Sequence, residues 1–448
     1  MKTLLIANRG AAAARVLRAA RALGLRTVAV YSEADADLPY LQQADEAYCI
    51  GPAPARDSYL NQDAILAVLA RSRADAVHPG YGFLSENAGF ARRVQDAGAC
   101  FVGPSPAWIE ALGNKAAART LMQSHGLAMG GSTGVLPDGD MAAVARRAQA
   151  LGYPVLIKPA GGGGGIGMVP VESPEALAEG WQRARSLAEK AFGSTELYLE
   201  RFVREPRHIE FQFLSDRRGN VMPLFERDCS TQRRYQKVIE EAPAPAIDRA
   251  AVEAMAGQLA DILGRIGYDV IGTVEMLYTP QAGFSFLEVN TRLQVEHAVT
   301  EAVTGVDIVA AQIRLAAGEP LADVLAHRPA LAGHAIEARV YAEDPVRFLP
   351  SPGVLRIFEP PAEGGGIRVE TGYAQGCRVG SHYDPMVAKV IAHGADREQA
   401  ARRLGEALQA FRVEGIKTNI PLIAKVLGSE RFRAGAMTVD CVQSLAAA

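Results

Sequence analysis

The chain has 448 residues, too many for one hydrophobic core, so two to four domains are expected. Hydrophobic residues at 49%, charged residues at 22% and a net charge of −3 describe an ordinary soluble globular protein. That balance gives no reason to expect binding to nucleic acid or an anionic membrane, and no apolar stretch reaches the ~20 residues a membrane span needs. The cysteines, Cys49, Cys100, Cys229, Cys377 and Cys441, are scattered and never spaced Cys-x-x-Cys. They read as reduced thiols. Met1-Lys-Thr-Leu-Leu-Ile runs straight into a strand with no cleavable signal ahead of it, so a cytoplasmic protein is expected.

Over the first hundred residues apolar strands alternate with alanine-rich helices. Leu4–Ala7, Thr27–Tyr31 and Ala76–Val77 read as strands, Ala12–Leu23 and Gln62–Arg71 as helices. The rhythm predicts an α/β fold that begins with a parallel sheet covered on both faces. A first domain is expected over 1–103, followed by a connector over 104–130 that carries Lys115. A smaller unit over 131–203 holds a glycine run and two helical stretches, and a strand-rich unit over 204–448 holds the acidic motifs.

The glycine run, Gly161 to Gly165 with Ile166 and Gly167 behind it, follows an apolar strand carrying Lys158. Ordering five glycines is entropically costly, and is expected where backbone N–H groups must approach phosphate oxygens closely. A disordered linker is the plainer alternative, but a free linker rarely follows a buried strand with a lysine on it. The run is not a Walker loop, because no Gly-Lys-Ser/Thr follows, and it lacks the dinucleotide pattern Gly-x-Gly-x-x-Gly.

Thr273–Tyr278 reads as a strand, and a turn at Pro280–Gly283 folds it back on Ser285–Asn290, so that Glu275 and Glu288 meet across a hairpin. Two carboxylates with an amide nearby are hard oxygen ligands suited to Mg2+ among phosphates. Further on, polar residues fall on every second position: Glu288, Asn290, Arg292, Gln294 and Glu296. If this stretch is extended, all five share one face, opposite Val289, Leu293 and Val295. Such alternation also describes a solvated strand face; the carboxylate hairpin favours a site.

From Leu4 to about Val439 the chain resembles the biotin carboxylase family, a branch of the ATP-grasp ligases. The likeness is carried by an ordered set of motifs: Ile6-Ala-Asn-Arg-Gly10, His78-Pro-Gly-Tyr-Gly-Phe-Leu-Ser-Glu-Asn87, Gly113-Asn-Lys115, the glycine run, Glu226-Arg-Asp-Cys-Ser-Thr-Gln-Arg-Arg234, Glu240-Glu-Ala-Pro243, Glu288-Val-Asn-Thr-Arg-Leu-Gln-Val-Glu-His297 and Tyr383-Asp-Pro-Met386. The resemblance implies an ATP-grasp fold whose smaller unit is a mobile lid. It also implies ATP- and bicarbonate-dependent carboxylation of biotin through carboxyphosphate, the first half-reaction of an acetyl-CoA or acyl-CoA carboxylase.

By the same resemblance ATP is bound by Lys115, Lys158, Gly163, Gly164, Gly165, Glu200, Val203, His208 and Gln232, with Glu275 and Glu288. These two carboxylates, with Asn290 beside them, are expected to hold Mg2+ or Mn2+. Lys237, Arg292, Gln294 and the backbone of Val295 form a bicarbonate pocket in which Glu296 is the general base. Arg339 stabilises the biotin enolate, Tyr81 contacts the biotin ring, and Asp384 helps to close the site. The Ala-Met-Lys-Met biotinylation motif is absent, so biotin is expected on a separate carrier protein or domain, with a carboxyltransferase subunit downstream. Homodimers are common in the family.

Three positions depart from the family pattern: Ala11 stands where Glu is usual, Ile166 where Arg or Lys is usual, and Tyr235 where His is usual. They leave two rival readings, another ATP-grasp carboxylate ligase or a nucleotide-binding subunit with impaired turnover.

Overall fold

The structure is a computed structural model that describes residues 1–137, 139–161 and 166–447. Gly163, Gly164 and Gly165 lie outside the described residues. The chain forms a mixed α/β fold. Its first sheet is parallel throughout, in the order Glu46–Cys49, Arg26–Tyr31, Thr3–Ile6, Ala76–His78 and Cys100–Phe101. Parallel neighbours need crossovers, supplied here by the helices Gly10–Ala22, Gln62–Ser72 and Ala88–Asp96. Asn61 and Asn87 fix two of the helix starts, their side chains accepting the N–H of Ala64 and Phe90. The strands Thr3–Ile6, Arg26–Tyr31 and Ala76–His78 and the first two helices fall where the alternation of the sequence puts them; the two edge strands, Glu46–Cys49 and Cys100–Phe101, are not among the expected ones.

The expected connector is helical, comprising Pro106–Gly113 and Lys115–Ser124. Asn114 caps the second helix through the Ala117 N–H, which sets Lys115 in its first turn. A three-stranded antiparallel sheet follows, Val169–Val171, Val155–Pro159 and Leu197–Arg201, packed through Ile157, Val169, Trp181 and Leu199 against the helices Met141–Leu151 and Leu177–Phe192.

The largest sheet has eight antiparallel strands, ordered 283–290, 270–279, 207–215, 221–233, 236–242, 334–341, 386–394 and 367–370. Strand Arg207–Ser215 shows how it is built. Ile209, Phe211 and Phe213 point one way, into a core with Leu259, Ile262 and Leu263 of the helix Arg249–Ile266. His208, Glu210 and Gln212 point the other way, yet all nine residues are buried. A polar face that is covered must satisfy itself internally, and that face carries the site.

The hairpin forms as expected, with Val270–Thr279 against Gly283–Asn290 and Glu275 opposite Glu288. The extended run through Glu296 does not. The strand ends at Asn290, residues 291–296 turn, and a helix begins at His297. The Thr291 N–H donates to the Glu86 carboxylate (3.0 Å) rather than to a neighbouring strand, so the ladder stops there.

The first sheet meets the large one where Gly10 packs on Gly372. A Cβ on Gly372 would lie 2.4 Å from the Gly10 carbonyl carbon, so backbone would have to move. Gly372→Ala is expected to destabilise the protein by about 1–3 kcal/mol, measured by denaturant unfolding; an unchanged midpoint would contradict the close approach.

Candidate active site

Every described candidate residue except Tyr81 and Asp384 lines one cavity of about 600 Å3, between the three-stranded sheet and the polar face of the eight-stranded sheet, and Asp384 lies instead 3.9 Å from Arg9. Strand register explains how distant residues converge. Lys158 and Glu200 lie on adjacent strands, two residues out of step and so on the same face, and the Lys158 Nζ sits 2.9 Å from a Glu200 oxygen. The other Glu200 oxygen takes Arg119 at 3.0 Å. Burial raises the Glu200 carboxyl, but Lys158 and Arg119 outweigh it and hold the group below its usual range. Lys115 reaches across from its helix to Glu288, at 2.7 Å. Val203 and Gln232 also face the cavity. The two lysines thus stand opposite the metal candidates.

Deeper in, Lys237 is the centre of charge. Its ammonium touches Glu210 and lies 3.3 Å from Glu275 and 2.6 Å from Glu296. Burial alone would lower its pKa, but the three carboxylates raise it well above the usual value, so it is fully cationic. Arg339 donates to the second Glu296 oxygen at 3.0 Å and pairs through Nε with Glu240 at 2.5 Å. Burial and Glu210 push Glu296 upward, while Lys237, Arg339 and Arg227 prevail and keep it ionised. Glu240 is pushed up to about 7, by burial first and by Glu296 second. The Cys229 thiol lies 3.7 Å from Glu296, and burial holds it protonated.

The turn after Asn290 keeps the predicted polar residues together without a strand. Arg292 donates to Asn290 Oδ1 at 3.0 Å and to Gln294 Oε1 at 2.8 Å, and pairs with Glu86 at 3.1 Å. Asn290 and Gln294 each donate an amide N–H to Glu275, at 2.6 and 3.1 Å. Glu275 and Glu288 supply carboxylate oxygens to the same cavity, a donor set that fits a hard divalent cation. A second grouping, His208, Glu210 and Glu275, also lies close enough to share an ion, but Lys237 already touches both of its carboxylates. Tyr81 stands apart from the cavity lining. Its ring packs on the main core and its buried hydroxyl is raised well above its usual value, by burial first, then by Glu370, Asp384 and Glu337, with Arg339 opposing.

Sequence reasoning missed Glu210, Glu86 and Glu240 as working parts. Glu210 was detectable, since the alternation His208, Glu210, Gln212 repeats the pattern recognised after Glu288. His208 lies 2.8 Å from Glu275 and 3.3 Å from Glu210, with Gln232 on its other nitrogen. Burial lowers its pKa, but Glu275 and the hydrogen bonds to both carboxylates raise it to about 9. The pKa is raised on folding, so the stabilisation is fully present below the unfolded value of about 6.5 and is lost as the pH climbs through about 9. NMR titration of the His208 ring should show a midpoint near 9; a midpoint at or below the unfolded value would contradict this geometry.

Comparison with known proteins agrees along the whole chain. Residues 1–109 match "Biotin carboxylase, N-terminal domain", residues 114–324 "Carbamoyl-phosphate synthase L chain, ATP binding domain" and residues 337–444 "Biotin carboxylase C-terminal domain". The biotin carboxylase of Halalkalibacterium halodurans is 49% identical over 98% of this chain and 97% of its own. The propionyl-CoA carboxylase alpha chain of Ruegeria pomeroyi is 44% identical over 97% of this chain, but only 66% of that longer protein is covered. The biotin carboxylase domain dimer of Hydrogenobacter thermophilus 2-oxoglutarate carboxylase, solved with MgADP, ADP and bicarbonate, superposes with a TM-score of 0.94 at 40% identity, covering 99% of this chain and 97% of that one. The chain belongs to the biotin carboxylase family of ATP-dependent ligases.

Proposed function

We propose that the cavity activates bicarbonate with ATP and passes the carboxyl group to biotin. The observation that carries this reading is the Glu296 carboxylate, gripped by Lys237 at 2.6 Å and Arg339 at 3.0 Å beside the Glu275–Glu288 pair. Lys115 and Lys158 neutralise nucleotide phosphates. Glu275 and Glu288, with Asn290 beside them, would hold Mg2+ or Mn2+, which screens the phosphate oxygens from an incoming anion. Lys237, Arg292, Gln294 and the Val295 backbone hold bicarbonate, and Glu296 takes its proton while a bicarbonate oxygen attacks the terminal phosphorus and ADP departs. A carboxylate held ionised by two cations is a weak base, so its contribution is placement more than basicity.

The resulting carboxyphosphate divides into carbon dioxide and phosphate. Phosphate takes the ureido proton of biotin, the nitrogen attacks carbon dioxide, and Arg339 stabilises the enolate charge that develops between these steps. Tyr81, packed on the main core outside the cavity lining, contacts the biotin ring. Biotin arrives on a carrier protein or domain, and a carboxyltransferase passes the carboxyl group on; the likeness to a propionyl-CoA carboxylase alpha chain favours an acyl-CoA acceptor. The dimer of the Hydrogenobacter domain supports a homodimer. No helix among the described residues is long and apolar enough to cross a membrane, and the five cysteines are free. Both fit a cytoplasmic enzyme.

ATP hydrolysis by the purified protein should require biotin, bicarbonate and the divalent ion together. Glu296→Gln should lower biotin-dependent turnover by roughly 10²-fold or more while ATP affinity stays within about twofold; wild-type turnover in that variant would refute its role. Ile166, half exposed beyond the glycine run, puts an apolar side chain where the family carries a cation. Ile166→Arg is expected to tighten ATP binding several-fold in a calorimetric titration, and an unchanged or weaker affinity would contradict a phosphate-facing position.

A further inference from the structure

Lys389 is a completely buried cation that the reaction above does not use. It lies on the strand Met386–Gly394, in the Tyr383-Asp-Pro-Met-Val-Ala-Lys stretch, outside the cavity lining and far in sequence from the bicarbonate turn. Its ammonium donates to the backbone carbonyl of Val295 and pairs with Glu370 at 2.8 Å, with Glu337 at 3.5 Å. Burial raises Glu370, but Lys389, Arg368 and Arg18 hold it well below the usual range, so it is a fixed anion. Glu337 is pushed up, by burial first. The ammonium therefore has Glu370 as its nearer carboxylate, together with one carbonyl.

The preceding carbonyl is held as well. The His297 Nδ1 lies 2.8 Å from Gln294 O. A carbonyl only accepts, so Nδ1 carries the proton. Burial first, then Lys389 and Arg15, keep the ring neutral. In a trans peptide the C=O and the next N–H point in opposite directions, and cis bonds among the described residues occur only before Pro154 and Pro243. Pulling the Gln294 and Val295 carbonyls into the core therefore turns the N–H groups of Val295 and Glu296 the other way. Both residues line the cavity, and neither N–H has a hydrogen-bond partner among the described residues. The helix His297–Thr304 begins directly behind them and adds positive potential at its N-terminus.

We propose that Lys389 and His297 are positioning residues for the bicarbonate pocket, clamping two successive carbonyls so that the Val295 and Glu296 N–H groups face the anion. The proposal rests on the bicarbonate reading above and deepens it. Lys389→Met removes the donor and the charge while keeping an unbranched chain. It should raise the bicarbonate KM on the order of tenfold or more while the ATP KM stays within about twofold. A purely structural lysine would lower the melting temperature and leave the bicarbonate KM unmoved, and that result overturns the proposal. Should Lys389→Met not fold, Lys389→Met with Glu370→Gln removes both members of the buried pair and carries the same expectation. Independently of either variant, bicarbonate added to the 15N-valine-labelled wild-type protein with MgADP should shift the Val295 amide resonance, and no shift overturns the proposal. Wild-type protein that lacks bicarbonate- and biotin-dependent turnover would sink the functional reading itself, whereas normal wild-type turnover with an unchanged variant KM sinks only the clamp.

Discussion

One ammonium group organises this site. Lys237 touches three buried carboxylates, Glu210, Glu275 and Glu296, which would repel one another without it. At ~4 Å and an effective dielectric near 20, each like-charge pair costs roughly 4 kcal/mol, and each contact to the lysine returns a similar amount. Arg227 on Glu210, His208 on Glu275 and Arg339 on Glu296 distribute the remaining compensation, so every acid has its own second cation. Removing one partner from such a buried set costs about 3–5 kcal/mol, because the others are left uncompensated. The ionisation of Glu296 and the readiness of Glu275 for a cation are both consequences of this arrangement.

The fold serves that arrangement by covering both faces of its largest sheet. Helix Arg249–Ile266 seals the apolar side, and the cavity on the other side is enclosed by the glycine-bearing unit and the turn after Asn290. A strand such as Arg207–Ser215 can then carry His208, Glu210 and Gln212 in the interior, where low dielectric strengthens each contact. The turn after Asn290 is held between Glu86 on one side and Lys389 with His297 on the other, three groups from three separate parts of the chain. Binding energy therefore need not be spent on ordering it.

Much of this was legible in the residues. The alternation of strands and alanine-rich helices announced the parallel sheet, and a four-residue turn between two apolar-polar strands placed Glu275 against Glu288. The polar row from Glu288 to Glu296 does converge on one cavity, but through a turn and not along one strand. Spacing alone cannot see Glu86, more than 200 residues upstream, taking the N–H that would have continued the ladder. Glu210 escaped because its strand is polar on a buried face, a pattern that reads as solvent exposure until the covering elements are known. Lys389 escaped for the same reason, since a lysine among apolar residues has no meaning without its partners.

The central claim is that Lys237 holds bicarbonate and Glu296 in one charged cluster. Calorimetric titration of bicarbonate into MgADP-loaded wild-type protein and into Lys237→Met tests it most directly. The account predicts a heat of binding in the wild type and none in the variant, with ADP affinity changed by less than about threefold, well under the tenfold that 1.4 kcal/mol represents. Bicarbonate binding that survives the loss of this lysine would contradict it.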